Sequence, residues 1–249
     1  MSDNVRAVVI GREEWGEYDC LLTFYTRERG KIEAVARGLR KSTSKLAAHL
    51  EPLTVAEVFL VYGRRRVIVA GSVVSAPYQC LAVNSESLIA AGAIAKLVDL
   101  MTPLEVSDER VFALIEAAFK LIATHALDSY QLAFLVRCTA WQLCILSGYR
   151  AELNHCVVCR RPLQANALAF DARHGGLVHH NCATASSVSV ISAAAARGLS
   201  YMASAPLEHI TRLKARASTF GQMMRSVEQL VEERFDLPAT SAVWPVVGK

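Results

Sequence analysis

The sequence predicts an α+β fold in which a small N-terminal β-barrel precedes a mostly helical domain, and three observations carry that expectation. Residues 4–75 fall into short runs rich in Val, Ile, Thr, Phe and Tyr, parted by glycine turns. From about residue 81 the apolar positions recur at helical spacing instead. Residues 154–183 then gather three of the seven cysteines and four of the seven histidines of the chain. The composition agrees: 53% of the 249 residues are apolar but only 7% aromatic, a mix rich in Ala, Leu and Val that leans towards helix.

Five strands are expected, at 5–10, 20–26, 31–37, 53–62 and 66–75, with turns at Gly11, Gly16, Gly30 and Gly63. The last two read as a hairpin with Gly63 at its tip. Between the third and fourth, "STSKLAAHLEP" offers a serine cap, a short helical turn and a stop at Pro52. Five strands with a helical turn after the third is the order of a five-stranded OB-type barrel. An SH3-like barrel is the competing arrangement.

Three helices follow. The first, over 85–101, starts at Ser85 with Glu86 and Ser87 behind it. The second takes Ser107 as its N-cap and places Val111, Leu114, Ile115 and Ala118 on one face. The third ends at Gly148, a C′ residue, and carries Cys138 and Cys144 as small core residues. Helix is expected to resume at "SVISAAAARGLSYMASA". A last amphipathic helix over 212–235 carries a stripe of Leu213, Ala217, Phe220, Met224, Val227 and Val231. Trp244 suggests a docked tail. The predicted organisation is an OB-type barrel at 1–80, a helical domain at 81–153 and 184–249, and a cysteine- and histidine-rich insertion at 154–183.

In the insertion, Cys156-x₂-Cys159 is mirrored by His179-x₂-Cys182, with nineteen residues between Cys159 and His179, and Gly175-Gly176 before the second pair suits a backbone that turns sharply beneath the metal. Two such pairs, each closing a tight turn, give a Cys₃His tetrahedron for one structural zinc ion, closed to water. His180, His155 and His174 are the other candidates for the fourth ligand, and a site that holds no metal is a further alternative. An iron–sulfur cluster prefers four thiolates. The zinc deaminase pattern of His-x-Glu with Pro-Cys-x-x-Cys is missing.

Charge is unevenly spread. Residues 1–80 carry twelve Lys and Arg against nine acids, residues 81–155 five against eight, and residues 156–249 ten against six. The densest stretch holds Arg27, Arg29, Lys31, Arg37, Arg40, Lys41 and Lys45 against only Glu28 and Glu33, and Arg64, Arg65 and Arg66 add to it at the next hairpin tip. A solvated charged face would explain such a run. On a barrel of this type, phosphate contact by Arg27, Lys31, Arg37, Arg40, Lys41, Lys45, Arg64, Arg65 and Arg66 is the sharper expectation. Phe24, Tyr25 and Tyr62 lie close enough in sequence to stack on bases, although strand alternation turns Phe24 or Tyr25 inward.

The stretch "GEYDCLLTFYTRERGKIEAVARGLRKSTSKLAAHLEPL", continued by "LSGYRAELNHCVVC" and "GGLVHHNC", resembles the bacterial recombination mediator family RecO over nearly the whole chain. The family usually has four cysteines at the metal, so His179 is a departure. The resemblance implies a non-enzymatic DNA repair mediator, with a DNA-binding OB domain at 1–80 and a zinc-ribbon-like insertion at 154–183 within the helical domain. It would bind single- and double-stranded DNA, anneal complementary strands and, with RecR, load RecA onto DNA coated by single-stranded-DNA-binding protein. Binding the acidic tail of that protein calls for an apolar pocket with a basic rim, for which Arg212, Lys214, Arg216 and Arg225 are candidates. A zinc-stabilised adaptor that binds only protein is the alternative. A cytoplasmic, nucleoid-associated and reduced protein is expected: the N-terminus has no basic region followed by an apolar stretch, and the apolar run 88–101 is too short to span a bilayer and carries Lys96 and Asp99.

Overall fold

The computed structural model describes residues 2–76, 84–163, 168–183, 188–210, 212–237 and 243–245. The chain forms two compact units, 1–127 and 128–249.

The first unit is built on five strands: β1 (Ser2–Trp15), β2 (Asp19–Thr26), β3 (Gly30–Ala36), β4 (Val55–Tyr62) and β5 (Val67–Ala76). They close in the order β1-β2-β3-β5-β4. One long strand makes closure possible. The first half of β1 pairs with β4, from Ser2↔Val61 to Val8↔Val55, and its second half pairs with β2 as far as Trp15↔Asp19. An irregularity between Val9 and Gly11 bends it from one partner to the other. The short parallel pairing of β3 with β5, at Ala34↔Val67 and Val35↔Ile68, shuts the barrel and gives the OB order rather than the SH3-like one. The expected turn after β3 is a single 3₁₀ turn over Ala47–His49. Alternating residues fill the interior, among them Val5, Ala7, Val9, Leu22, Phe24, Ile32, Ala34, Val58 and Leu60.

Two helices belong to this unit, α1 (Ser85–Met101) and α2 (Glu109–Thr124). Their caps lie one residue from those expected. Asn84, not Ser85, accepts the Ser87 N–H, and Asp108, not Ser107, accepts the Arg110 N–H. Both are better acceptors, placed where the backbone is still extended. Gly30 has φ +70°, and a Cβ there would lie 2.0 Å from the Val106 carbonyl oxygen, so the link before α2 lies directly on the β2–β3 turn.

The second unit starts with α3 (Ser129–Leu146), closed at its N-terminus by a reciprocal capping box between Asp128 and Gln131. Gly148 follows the helix with φ +89°, as a C′ residue should. Cys138 and Cys144 are buried in α3, and burial pushes the Cys144 thiol up to about 12. A three-stranded antiparallel sheet, β6 (Leu168–Asp171), β7 (Gly176–His179) and β8 (Val188–Ile191), is ordered β7-β6-β8. The strand β8 departs from the expected helix. Four residues pair with the free edge of β6, and the helix begins only after Ser192 caps Ala195. Then come α4 (Ala193–Met202), α5 (Leu207–Ile210) and α6 (Ala217–Phe235). The last starts five residues later than the stripe suggested, so Leu213 precedes it. Trp141 of α3 donates to the Leu199 carbonyl at 3.2 Å, and Gln142 bridges the Met202 and Ala205 carbonyls. Trp244 is held: its Nε1 donates to Glu232 at 3.1 Å, and the guanidinium of the buried Arg137 lies 5.4 Å from its ring centre. The remainder of the expected tail, 238–242 and 246–249, lies outside the described residues. Among the described residues no helix is long and apolar enough to cross a membrane.

Candidate metal centre and nucleic-acid interface

Cys156, Cys159, His179 and Cys182 converge, with one ligand atom of each lying within 4.8 Å of all the others. Three short elements bring them together. Cys156 and Cys159 sit in a tight loop closed by the Cys156 N–H to the Arg161 carbonyl and by the Arg160 N–H to the Cys156 carbonyl. Arg160 turns through φ +62° there. His179 ends β7, and Cys182 closes a 3₁₀ turn immediately after it. Gly175 supplies a left-handed turn at φ +71°. Gly176 is needed for a different reason: a Cβ there would lie 2.4 Å from the Glu152 carbonyl oxygen.

The geometry suits a tetrahedral ion. Nδ1 of His179 lies 3.4 Å from the Cys159 sulfur and 3.9 Å from that of Cys182. Metal–ligand bonds of about 2.1–2.3 Å imply ligand–ligand edges of roughly 3.5–3.8 Å. The Nε2 of His179 lies 3.1 Å from the Pro162 carbonyl oxygen. A carbonyl only accepts, so Nε2 carries the proton and Nδ1 turns its lone pair to the sulfurs. The thiols are electrostatically unequal. Burial raises Cys156, but backbone N–H groups of Cys159, His179 and Val158 aimed at its sulfur outweigh this and bring it to about 6. Cys182 is pushed up to about 11, by burial and by sharing hydrogen bonds and charge with Cys159 and Cys156. A cation among the sulfurs would favour the thiolate of Cys182 beside that of Cys156. Around them the packed apolar core is small, centred on Cys156, Ala169 and Val178. The other histidines are engaged elsewhere or point away: His174 bonds the buried Asp171 at 2.8 Å, His155 faces Glu152, and His180 is exposed.

The basic tract is split between two surroundings. At the β2–β3 turn the cations are neutralised from within the unit. Arg27 pairs with Glu109 of α2, and Arg29 pairs with Asp3 at 2.5 Å. Lys31 is only 8% exposed, and its ammonium donates to the Asp99 carbonyl at 2.5 Å. Beyond β3 the picture reverses. Arg37, Lys41, Lys45, Arg64, Arg65 and Arg66 are exposed, and none has an ion-pair partner among the described residues. Arg40 is also exposed but pairs with Glu14 at 3.0 Å.

Two of these free cations, Lys41 and Arg66, meet at the β1–β2 turn. The Arg40 N–H donates to the Tyr18 carbonyl, and the Gly38 N–H donates to the Asp19 carboxylate at 2.7 Å. The Lys41 ammonium lies 5.5 Å from the Tyr18 ring centre. From the β4–β5 tip, the Arg66 guanidinium lies 4.2 Å from the Trp15 ring centre. The turns after β1 and β4 are the loops with which OB barrels hold oligonucleotides. Of the aromatics expected to stack, Phe24 lies in the barrel core and Tyr25 is buried with its hydroxyl 3.4 Å from the Asp108 carbonyl. Alternation left one of them outside, but the start of α2 covers it. Tyr62 lies beneath Arg29. Trp15 and Tyr18, both exposed, were not picked out by sequence, because β1 reads as ending well before Trp15.

In the second unit a groove of about 570 Å³ has Tyr201, Leu213 and Met223 in its walls and Arg197, Lys214 and Arg216 among its lining residues. Arg212 and Arg225 are exposed but do not line it.

A closed OB-type barrel followed by a helical region with a Cys₃His cluster able to hold a metal ion is the class that this fold and centre define. Residues 1–70 match the family model for the N-terminal part of recombination protein O, and residues 84–241 match that for its C-terminal part. The chain belongs to the recombination protein O family of DNA repair proteins. Among its relatives, the DNA repair protein RecO of Desulfitobacterium hafniense strain Y51 is 30% identical over 235 residues, covering 92% of this chain and 84% of the relative. That of strain DCB-2 is 35% identical over 179 residues, covering 72% and 63%. RecO of Dehalococcoides mccartyi strain 195 is 26% identical over 242 residues, covering 96% and 93%.

Proposed function

We propose that the chain is a non-enzymatic recombination mediator whose DNA surface is the end of the barrel bearing Arg37, Arg40, Lys41, Lys45, Arg64, Arg65 and Arg66. One observation carries this reading: the fold neutralises the first part of the basic tract with its own acids and leaves the second part exposed. All cations of this second part but Arg40 lack an ion-pair partner among the described residues and are free to replace the counterions of phosphates. Bound to two strands, they would lower the repulsion between them and let the bases pair. In this reading the protein anneals complementary strands and, with RecR, promotes RecA loading on DNA coated by single-stranded-DNA-binding protein, in the cytoplasm at the nucleoid. The groove between Leu213, Tyr201 and Met223 suits the acidic tail of that protein, with apolar side chains entering and carboxylates meeting Lys214, Arg216 and Arg197. The four-ligand centre would hold one structural zinc ion through Cys156, Cys159, Nδ1 of His179 and Cys182, fixing the insertion 154–183 where its apolar core is small.

The test is annealing of complementary strands coated with the cognate single-stranded-DNA-binding protein, comparing wild type with Arg37, Arg40, Lys41 and Lys45 all changed to Ala. Annealing by the wild type that the folded variant loses supports the mediator. No annealing by the folded wild type refutes it and leaves the protein-only adaptor.

A further inference from the structure

We propose that Trp15 and Tyr18 are base-stacking platforms that make this end of the barrel selective for single strands over duplex. The inference rests on the reading that this end of the barrel binds DNA, and goes beyond phosphate contact to how the bases are held.

Trp15 is 39% exposed and Tyr18 46% exposed; Phe59 of β4 is also 46% exposed while Phe24 and Tyr25 are buried, and of the three exposed rings it is Trp15 and Tyr18 that the structure pairs with cations. The two flank the turn from β1 to β2, where Gly16 takes φ +68°. Each has a cation against its ring, Arg66 with Trp15 and Lys41 with Tyr18. The cations come from different segments, the β4–β5 tip and the loop after β3, so the pairing is a product of the fold. An aromatic face beside a cation matches the two parts of one nucleotide, a flat base and a phosphate. Two such pairs on one turn match neighbouring nucleotides of an unpaired strand. A duplex keeps its bases stacked on one another and offers these rings nothing.

Charge alone would serve this turn poorly. Glu13, Glu14 and Glu17 lie in the same stretch of sequence, and Glu14 already holds Arg40 at 3.0 Å. Repulsion from these acids offsets part of the attraction of the cations, so stacking must supply part of the binding. It also supplies the discrimination, because phosphates are common to both forms of DNA while accessible base faces are not.

Tryptophan fluorescence reads this directly. Trp141 is 1% exposed, and Trp244 is engaged through Glu232 and Arg137, which leaves Trp15 as the reporter at the barrel end. The full chain is titrated with oligothymidylate and with a duplex of equal phosphate number, following intrinsic fluorescence and, separately, the anisotropy of the labelled DNA. Quenching by oligothymidylate and not by duplex is expected. Trp15→Ala combined with Tyr18→Ala should lower the ratio of single-strand to duplex affinity by roughly tenfold or more. Trp15→Phe, which keeps an aromatic face, should retain that ratio while losing the quench, and thermal melting confirms that each variant is folded. Binding seen by anisotropy with unchanged fluorescence, or an unaltered affinity ratio in the folded double variant, overturns the stacking proposal while phosphate binding stands. Absence of binding by anisotropy overturns both.

Discussion

Changing Arg64, Arg65 and Arg66 together to Ala removes three exposed cations from the β4–β5 tip without removing a buried side chain. The bond that closes the tip, from the Gly63 N–H to the Arg66 carbonyl at 3.0 Å, is backbone and survives. Each phosphate neutralised on a single strand contributes about 0.7 to the log–log dependence of affinity on salt, so the slope should fall by about 2. Across a roughly fourfold rise in salt, wild-type affinity should therefore drop about twentyfold more than that of the variant. The matched control removes Arg27 and Lys31, two cations of the same tract that are held by Glu109 and Asp99. Their loss should leave the slope unchanged and lower stability instead. Lys31 is almost buried and donates to the Asp99 carbonyl, a charge-assisted bond of a kind that contributes about 1.5–3 kcal/mol. In a unit of this size that is a fall of several degrees in melting temperature. The assay is anisotropy of labelled oligothymidylate over a salt series, beside thermal melts of both variants. Equal slopes in the triple variant and wild type, or an equal reduction in the control, would refute the division of the tract into free and neutralised halves.

Chelation should lower the melting temperature of the second unit, and elemental analysis of the purified chain should find one zinc per molecule. Cys159→Ser should reproduce that destabilisation, His179→Cys should retain metal, and His180→Ala should change neither metal content nor melting. Gly30→Ala should be severely destabilising, since its Cβ would meet the Val106 carbonyl carbon at 2.4 Å as well as the oxygen. Gly16→Ala, at a similar φ but with nothing within 4 Å of the added atom, should cost only about 1 kcal/mol in thermal or denaturant melts. Lys214→Glu with Arg216→Glu should weaken an acidic, apolar-ended tail peptide by tenfold or more in a titration, while Arg225→Glu, outside the groove, should have little effect.

Where local chemistry was decisive, the sequence was a good guide. Glycine and β-branched residues set the five barrel strands to within a few residues, except that β1 runs on to Trp15. The two-residue spacing within each pair picked out Cys156, Cys159, His179 and Cys182, which the fold brings within 4.8 Å of one another, because a tight turn is a local structure. Capping was legible in kind but off by one, since neighbouring Asn, Ser and Asp residues compete and only the path of the incoming chain decides between them. The strand β8 was hidden because an alanine-rich run behind it reads as helix, whereas the unpaired edge of β6 that recruits it is a long-range feature.

The functional surface shows the same division. Residue types and their order determine that this chain has a barrel, a Cys₃His cluster and an excess of cations in one tract. They do not determine which cations remain free. Asp99 and Glu109 lie 68 and 82 residues from the Lys31 and Arg27 that they neutralise, and the packing of α1 and α2 against the barrel brings them there, while Asp3 of β1 reaches Arg29 through the pairing of the barrel strands. The encounter of Arg66 with Trp15 likewise needs closure of the barrel, which sets the β4–β5 tip beside the β1–β2 turn. Charge and aromaticity are properties of residues; exposure and neutralisation belong to pairs of residues, and those pairs exist only once the chain has folded.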